Sequence, residues 1–576
     1  MNFALVRKVV NIFTSNEKNK VFIVLLLSIL TSILEMLGVF SIVPFISLLT
    51  DPSYITSNKY VSYIISVNSM NLIESQIFFG ILIIIIFVLS NILNILTLWL
   101  TINVIADFQC RISTTVLNNY LDQPYDYFIK NDHSVLSKNV LDESCILADG
   151  VIYAMMQIIT KTLIILAISV LMIVVNYQLF FSSIFVFGFI YIIIFSRYRN
   201  ILYNIGIKRV DANENRYKNT REVFNNVKDV KYYSNEKFYI DNFSTSAYNF
   251  AHLNAKRNLI SILPRYFIEI FTFGGIFALI IYFISINESF LIHIPTISMF
   301  LFAIYRIMPQ LQNIFTNTAN IKSSEYVFNN IQKIINMKVI KKQNINRKTS
   351  FEKSILFKDV SFSYDNNTNI LEKINLEIKK GRTYAVIGKT GTGKTTLIDA
   401  LLGFYKINSG SVMIDDKEIE ANSFESINSV IGYVSQNISY IGDNILKNIA
   451  FCDNAKDLDM DRINRITSIV ELDDVLDRLD NGIYQSIGDM GSMLSGGQRQ
   501  RIGLARALYG NPKILILDEA TNALDEKTEV KIFENIKNCY PDITLIIITH
   551  RNSYISKCDE IIEIKDKKIN IINNNA

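Results

Sequence analysis

The chain has 576 residues, 50% of them hydrophobic and only 19% charged, with mean hydropathy +0.26 and a formal net charge of +4. A soluble protein normally carries about 25% charged residues, so a chain soluble throughout is excluded, and so is one buried throughout in lipid. Glycine (22) and proline (8) are too few for a collagen-like or disordered chain, and +4 supplies no bulk attraction for nucleic acid.

The apolar residues concentrate before residue 320. Six candidate spans follow one another at 21–50, 76–105, 146–175, 178–206, 257–285 and 293–318. A membrane-crossing helix needs about 20 mostly apolar residues. The run from Ile77 to Leu100, with Leu82-Ile83-Ile84-Ile85-Ile86-Phe87 at its centre, meets that alone. Several spans exceed a bilayer, which predicts helices that continue into the cytosol. The first run is too long for a cleavable leader and carries Glu35, so it is expected to stay as a span.

Basic residues set the expected orientation. Arg7, Lys8, Lys18 and Lys20 precede the first span, and a dense basic segment runs from Arg197 to Arg257 between spans four and five. By contrast, 51–75 holds only Lys59, and 286–292 holds no Lys or Arg. The N-terminus and the C-terminal half are therefore expected in the cytosol. The five cysteines (Cys110, Cys145, Cys452, Cys539 and Cys558) have no paired spacing and read as small apolar residues.

Residues 1–336 thus read as a six-span all-α transmembrane domain, 337–353 as a polar basic linker, and 354–576 as a cytosolic α/β domain in which short β-branched runs alternate with helices. The strand Thr383-Tyr384-Ala385-Val386-Ile387 leads into Gly388-Lys389-Thr390-Gly391-Thr392-Gly393-Lys394-Thr395, with Thr396 opening an apolar helix. This is a complete phosphate-binding loop in the required strand–loop–helix setting. Its glycines let backbone N–H groups approach phosphate, and the helix N-terminus adds positive dipole. Lys394 is placed to reach the β- and γ-phosphates, and the Thr395 hydroxyl to ligate Mg²⁺. The predicted ligands are therefore a nucleoside triphosphate and Mg²⁺. A second apolar strand, Ile514 to Leu517, delivers Asp518 as a metal-positioning carboxylate and Glu519 as general base toward water.

Leu494-Ser495-Gly496-Gly497-Gln498 precedes that strand and resembles the signature of ABC-type ATPases. Other motifs of that family stand in order. Tyr364 takes the place of the adenine-stacking aromatic, and Gln436 that of the glutamine that senses Mg²⁺. Asn522-Ala523-Leu524-Asp525 resembles the D-loop, with Asn where Ser is commoner, and His550 resembles the switch histidine. The resemblance implies that the nucleotide is ATP, with contacts from Tyr364, the whole phosphate loop through Thr396, Gln436, Ser495 to Gln498, and Asp525. Mg²⁺ would be held by Thr395, Gln436 and Asp518, and catalysis carried by Glu519 and His550. In this family each ATP lies between one domain's phosphate loop and another's signature. One copy of each per chain implies a half-transporter that pairs with a second copy of itself.

Six spans and one ATPase domain resemble an exporter of the long-helix type. Tyr120 to Phe128, containing Gln123-Pro124, resembles its first coupling loop, and Phe224 to Lys231 its second. Ionisable residues are expensive inside a bilayer and point to function. Arg265, Arg306 and Lys161 lie on three different spans and are substrate candidates, while Glu35 reads as a helix–helix contact. Pro264-Arg265-Tyr266, Ala303 to Pro309, and Ser41 to Ile46 resemble lipid-linked oligosaccharide flippases of bacterial protein N-glycosylation, the PglK type. That resemblance implies a polyprenyl-pyrophosphate glycan as cargo, a bacterial inner-membrane location, and an external helix at Tyr60 to Leu72. Other amphipathic lipids of the lipopolysaccharide-core type, and drugs or peptides, are the competing cargoes.

Overall fold

A computed structural model describes residues 3–50, 71–285, 294–337, 350–364, 368–415, 417–419, 421, 424–451, 458–488, 491–549 and 555–573. His550, Cys452, most of 337–353 and all but the end of the proposed external helix lie outside these residues. Two compact units emerge: Met1–Leu121 with Asn131–Val339, and Asp122–Lys130 with Ile340–Ala576. The second unit therefore includes a short segment taken from between spans two and three.

The first unit is helical. Its long helices among the described residues are α1 (Ser15–Phe40), α2 (Leu72–Leu121), α3 (Ala154–Val175), α4 (Tyr177–Asn225), α5 (Glu236–Ser285) and α6 (Ile294–Ile335). A capping box starts α1: Thr14 accepts from the Glu17 backbone N–H while the Glu17 carboxylate accepts from the Thr14 N–H. By length and composition, Ser15–Thr50, Ile73–Leu121 and His133–Val175 are apolar enough to cross a membrane. The apolar side chains of α2 point outward: Ile77, Ile81, Ile84, Ile85 and Val88 are all exposed. An outer face this apolar suits lipid rather than water.

Contacts group α1 with α2 and α3, α3 with α6, and α4 with α5 and α6. Two glycines permit the closest approaches to α6. A Cβ on Gly206 would fall 2.1 Å from the Ser323 carbonyl oxygen, and one on Gly150 2.5 Å from the Ser324 hydroxyl. Ahead of α3 the chain widens into two π-helical stretches, Asn139–Glu143 and Ala148–Tyr153. Lys138 is buried beside the first, with its ammonium 3.1 Å from Glu143 and 2.8 Å from Glu214. The Glu143 carboxylate also accepts from Asn330 at 2.9 Å.

The second unit holds β1 (Ser354–Phe362), β2 (Leu371–Lys379), β3 (Thr383–Ile387), β4 (Ser409–Ile414), β5 (Lys417–Glu418), β6 (Ile431–Val434), β7 (Ile514–Asp518), β8 (Thr544–Ile548), β9 (Glu560–Lys565) and β10 (Lys568–Asn573). Strands β2-β1-β4-β5 make an antiparallel sheet. The larger sheet has the order β10-β9-β3-β8-β7-β6, parallel except for the last hairpin between β9 and β10. β7 and β8 are buried along their whole lengths, as strands covered on both faces must be. Three helices bear on the site: α7 (Lys394–Leu401), α8 (Gly496–Tyr509) and α9 (Glu526–Cys539).

Candidate functional site

The site lies where β3 and β7 end. After β3 the chain turns through Gly388, Gly391 and Gly393, with φ of +157°, +82° and +101°. The last two values lie where a side chain is strained. At Gly388 space is decisive instead, since a Cβ would stand 2.8 Å from the Ile564 carbonyl oxygen. The loop is therefore a cradle of bare backbone. The Lys394 ammonium folds into it, donating to the Gly388 carbonyl at 2.8 Å and the Lys389 carbonyl at 3.2 Å. Thr395 and Thr396 follow in the first turn of α7, and Thr392 closes the loop by donating to the Lys389 carbonyl.

Next to that cradle, β7 ends at Asp518, which is buried and shares a hydrogen bond with Thr395. Burial, and then the adjacent Glu519 charge, push the Asp518 carboxyl up to about 6. Asp399, on α7, is driven to about 7 by burial and by Asp518. Two carboxyls held this far up need a cation to ionise together. The cradle, the Thr395 hydroxyl and this acid thus fit a Mg²⁺–nucleotide. Glu519 itself stands in the left-handed region at φ +50°, a conformation uncommon outside glycine. Its carboxylate accepts from the Gln436 amide at 3.0 Å and from Asn522 at 3.3 Å. The general-base candidate is aimed by the glutamine and by the D-loop asparagine.

Tyr364 donates to or accepts from the Thr396 hydroxyl at 3.1 Å and meets Tyr405 edge-on, with ring centres 5.1 Å apart. Tyr405 in turn touches Tyr125 of the short helix Tyr125–Lys130, which also packs on Phe404 with centroids 4.8 Å apart. The first coupling-loop segment is thus a component of the ATPase unit. The second, by contrast, lies in the helical unit. There Val227–Tyr232 forms a helix that leaves Phe224 and Tyr232 exposed.

The signature opens α8. Ser495 caps it reciprocally with Gln498, whose amide oxygen accepts from the Ser495 N–H at 2.8 Å. Gly496 and Gly497 lie against Ala523, and Gln500 accepts from the Ala523 N–H at 2.8 Å. Asp525 caps α9 through the Thr528 N–H. Signature and D-loop are therefore one braced surface. Asn522 stands in the D-loop motif and Gln500 just after the signature, but the sequence did not show the contacts by which they brace Glu519 and Ala523.

The helical unit contains a chamber of about 420 Å³ bounded by α1, α2, α3 and α6. Lys161 and Arg306 both line it; Arg265 does not, and instead donates to Glu269 at 2.9 Å. Glu35 joins three helices there, accepting from Asn94 at 3.1 Å and standing 3.4 Å from Arg306. Asn91, Asn94, Thr97 and Thr101 give α2 a polar stripe on this wall. Their spacing of three or four residues places them on one helix face, a signal present in the sequence and obscured by the surrounding isoleucines.

Two family profiles match the chain: "ABC transporter" over residues 371–522 and "ABC transporter transmembrane region" over 21–305. Together they cover about three quarters of it. An ATP-dependent lipid A-core flippase of Pectobacterium atrosepticum is 38% identical over 214 residues, which is 37% of each chain. The Escherichia coli K12 protein of the same name is 36% identical over 36% of each chain. ABC transporter B family member 29, chloroplastic, of Arabidopsis thaliana is 38% identical over 38% of this chain and 34% of its own. The chain thus matches little more than a third of the length of these relatives. A solved bacterial Atm1-family ABC exporter with ATP bound superposes with a TM-score of 0.78 over 100% of this chain and 96% of that one, at 19% identity, a likeness of fold. With both profiles and this fold in hand, the chain belongs to the ABC transporter family: this sequence holds a transmembrane region and an ATP-binding domain in the fold of the exporter it superposes on.

Proposed function

We propose that two copies of this chain form an ATP-driven exporter that flips an anionic glycolipid between the leaflets of a bacterial inner membrane. The preferred cargo is a lipid-linked oligosaccharide of the polyprenyl-pyrophosphate kind. The N-terminus and ATPase domain face the cytosol in this reading, as the basic segments favour. The observation that carries the cargo reading is the polar chamber, which sets Lys161 and Arg306 among amide and hydroxyl side chains inside apolar helices. Cations suit a phosphate and the neutral polar groups suit sugar hydroxyls.

Pairing follows from the parts count, because one phosphate loop and one signature complete a site only with a second copy. The backbone cradle and Lys394 bind the phosphates, Tyr364 supports the base, and Asp518 with Thr395 and Gln436 would hold Mg²⁺. That ion, when bound, neutralises charge on the β- and γ-phosphates. Glu519, aimed by Gln436 and Asn522, orients a water and takes its proton; His550 is assigned to the γ-phosphate side. Closure and release of the ATPase pair would switch the helices between inward- and outward-facing arrangements.

The lipid A-core flippase names among the relatives favour a second cargo, a phosphorylated lipopolysaccharide core, which the same cations would serve. Proteoliposomes offered a fluorescent polyprenyl-pyrophosphate glycan and, separately, a lipid A-core decide between them. ATP-dependent movement of the first, abolished by Glu519→Gln, is expected. Movement of the lipid A-core alone would select the second reading, and normal ATPase activity with neither lipid moved would refute both.

A further inference from the structure

The chamber's charges do not balance. Lys161 and Arg306 bring two positive charges and Glu35 one negative. Among the described residues Lys161 makes no hydrogen bond or ion pair. The Arg306–Glu35 pair is loose: Nη1 stands 3.4 Å from Oε2, and among the described residues neither Arg306 Nε nor Glu35 Oε2 has a hydrogen-bond partner. Elsewhere in the same unit Arg111 grips Glu17 with two hydrogen bonds of 2.8 and 2.9 Å, so a close pair is within reach of this scaffold. Glu35 is held in place by Asn94, and its side chain is only 3% exposed. The Arg306 guanidinium lies over the Phe87 ring at 4.6 Å and near Phe302 at 5.7 Å. Aromatic contact fixes the plane of a guanidinium and leaves its N–H edge for an anion. A buried carboxylate beside such an edge, close but not bonded, is a counterion that can be exchanged.

We propose that Glu35 is the resident counterion of Arg306 and sets the charge selectivity of the chamber by competing with the anionic head group of the cargo. This rests on the anionic-glycolipid reading. With Glu35 ionised the chamber offers one net positive charge, enough for a monoanion. A diphosphate must displace Glu35 from Arg306 to obtain two. The same competition favours release, since Glu35 returns to Arg306 when the cargo leaves. Glu35 is thus a specificity-determining residue acting through Arg306.

The test measures binding of farnesyl diphosphate and farnesyl monophosphate to the full-length protein in nanodiscs. A Lys394→Ala background keeps diphosphate off the phosphate loop. Diphosphate carries about one more negative charge. Removing the opposing carboxylate should therefore raise the preference for diphosphate about tenfold, for a separation of about 6 Å and an effective dielectric of about 40. Glu35→Gln is expected to do so, Glu35→Asp to keep the ratio within about twofold of wild type, and Lys161→Gln to lower it. An unchanged ratio in Glu35→Gln, or equal weakening of both ligands, overturns the proposal. If Glu35→Gln does not fold, Glu35→Met carries the test: it replaces the carboxylate with an apolar side chain of similar length, the ratio should again rise about tenfold, and an unchanged ratio overturns the proposal. A shifted ratio, with no glycolipid transport by protein that keeps Lys394, leaves Glu35's role standing and sinks the cargo reading; transport by that protein with an unshifted ratio does the reverse.

Discussion

Replacing Lys138 by Met tests the buried charge cluster that ties the segment before α3 to α4 and α6. Lys138 and Glu143 have side chains only 2% and 1% exposed, whereas Glu214 is 42% exposed. In the variant, Glu143 stays buried with Asn330 as a hydrogen-bond donor and has lost its close ion pair, leaving the Arg209 guanidinium as a more distant cation. Breaking a buried pair from one side costs about 3–5 kcal/mol because a charge is left uncompensated. Loss of the half-exposed partner, Glu214→Gln, should cost about 1 kcal/mol or less. Replacing both buried members, Lys138→Met with Glu143→Met, removes the stranded charge and should recover most of the loss. Unfolding entropy near 2.1 cal/mol/K per residue gives roughly 0.7 kcal/mol/K for a unit of about 330 residues. The single Lys138 variant should therefore melt on the order of 5 °C lower, read by tryptophan-independent thermal unfolding in detergent. A shift under about 1 °C, or a double variant no better than the single, would refute the reasoning.

Three further outcomes are expected. Gly206→Ala should destabilise the helical unit by about 1–3 kcal/mol through overpacking against the Ser323 carbonyl. Gly274→Ala, with open space at its Cβ, serves as the tolerated control in the same melting assay. Asn522→Ala removes a bond aiming Glu519, so kcat for ATP hydrolysis should fall about 2–10-fold at unchanged KM; a pure KM effect would argue against that role. Asp399 has its folded pKa raised to about 7 from 3.8. Its favourable contribution to the nucleotide-free ATPase unit is thus complete below about pH 4 and lost as pH rises through 7. Asp399→Asn should flatten the decline in stability between about pH 4 and 7, and parallel pH curves for variant and wild type would count against it.

Much of the molecule was legible in the amino-acid order because the relevant physics is local. Runs such as Leu82 to Phe87 are apolar beyond what a soluble helix needs, and the glycines of the phosphate loop sit between a β-branched strand and an amphipathic helix. Each signal lies within about 20 consecutive residues. Asp518 and Glu519 were legible for the same reason, as the end of a fully apolar strand.

Long-range partners were not legible. Sequence placed Arg265 and Arg306 on equal footing as deep cations. Only the packed helices bring Arg306 to Glu35 and the chamber while leaving Arg265 with Glu269 on its own helix. Nothing local shows that Lys138 would be buried, since its partner Glu214 lies on another helix. Likewise, Asn522 was visible as a departure from a commoner serine, but its bond to Glu519 depends on the left-handed turn that tertiary packing imposes at residue 519. The sequence by itself determined which segments are apolar enough to enter lipid and which loop has the form of a phosphate cradle, because burial and backbone freedom are written in composition and spacing. The tertiary structure decided which charges are neutralised and which remain to meet a ligand, because an ion pair is fixed by distances between side chains far apart in the chain.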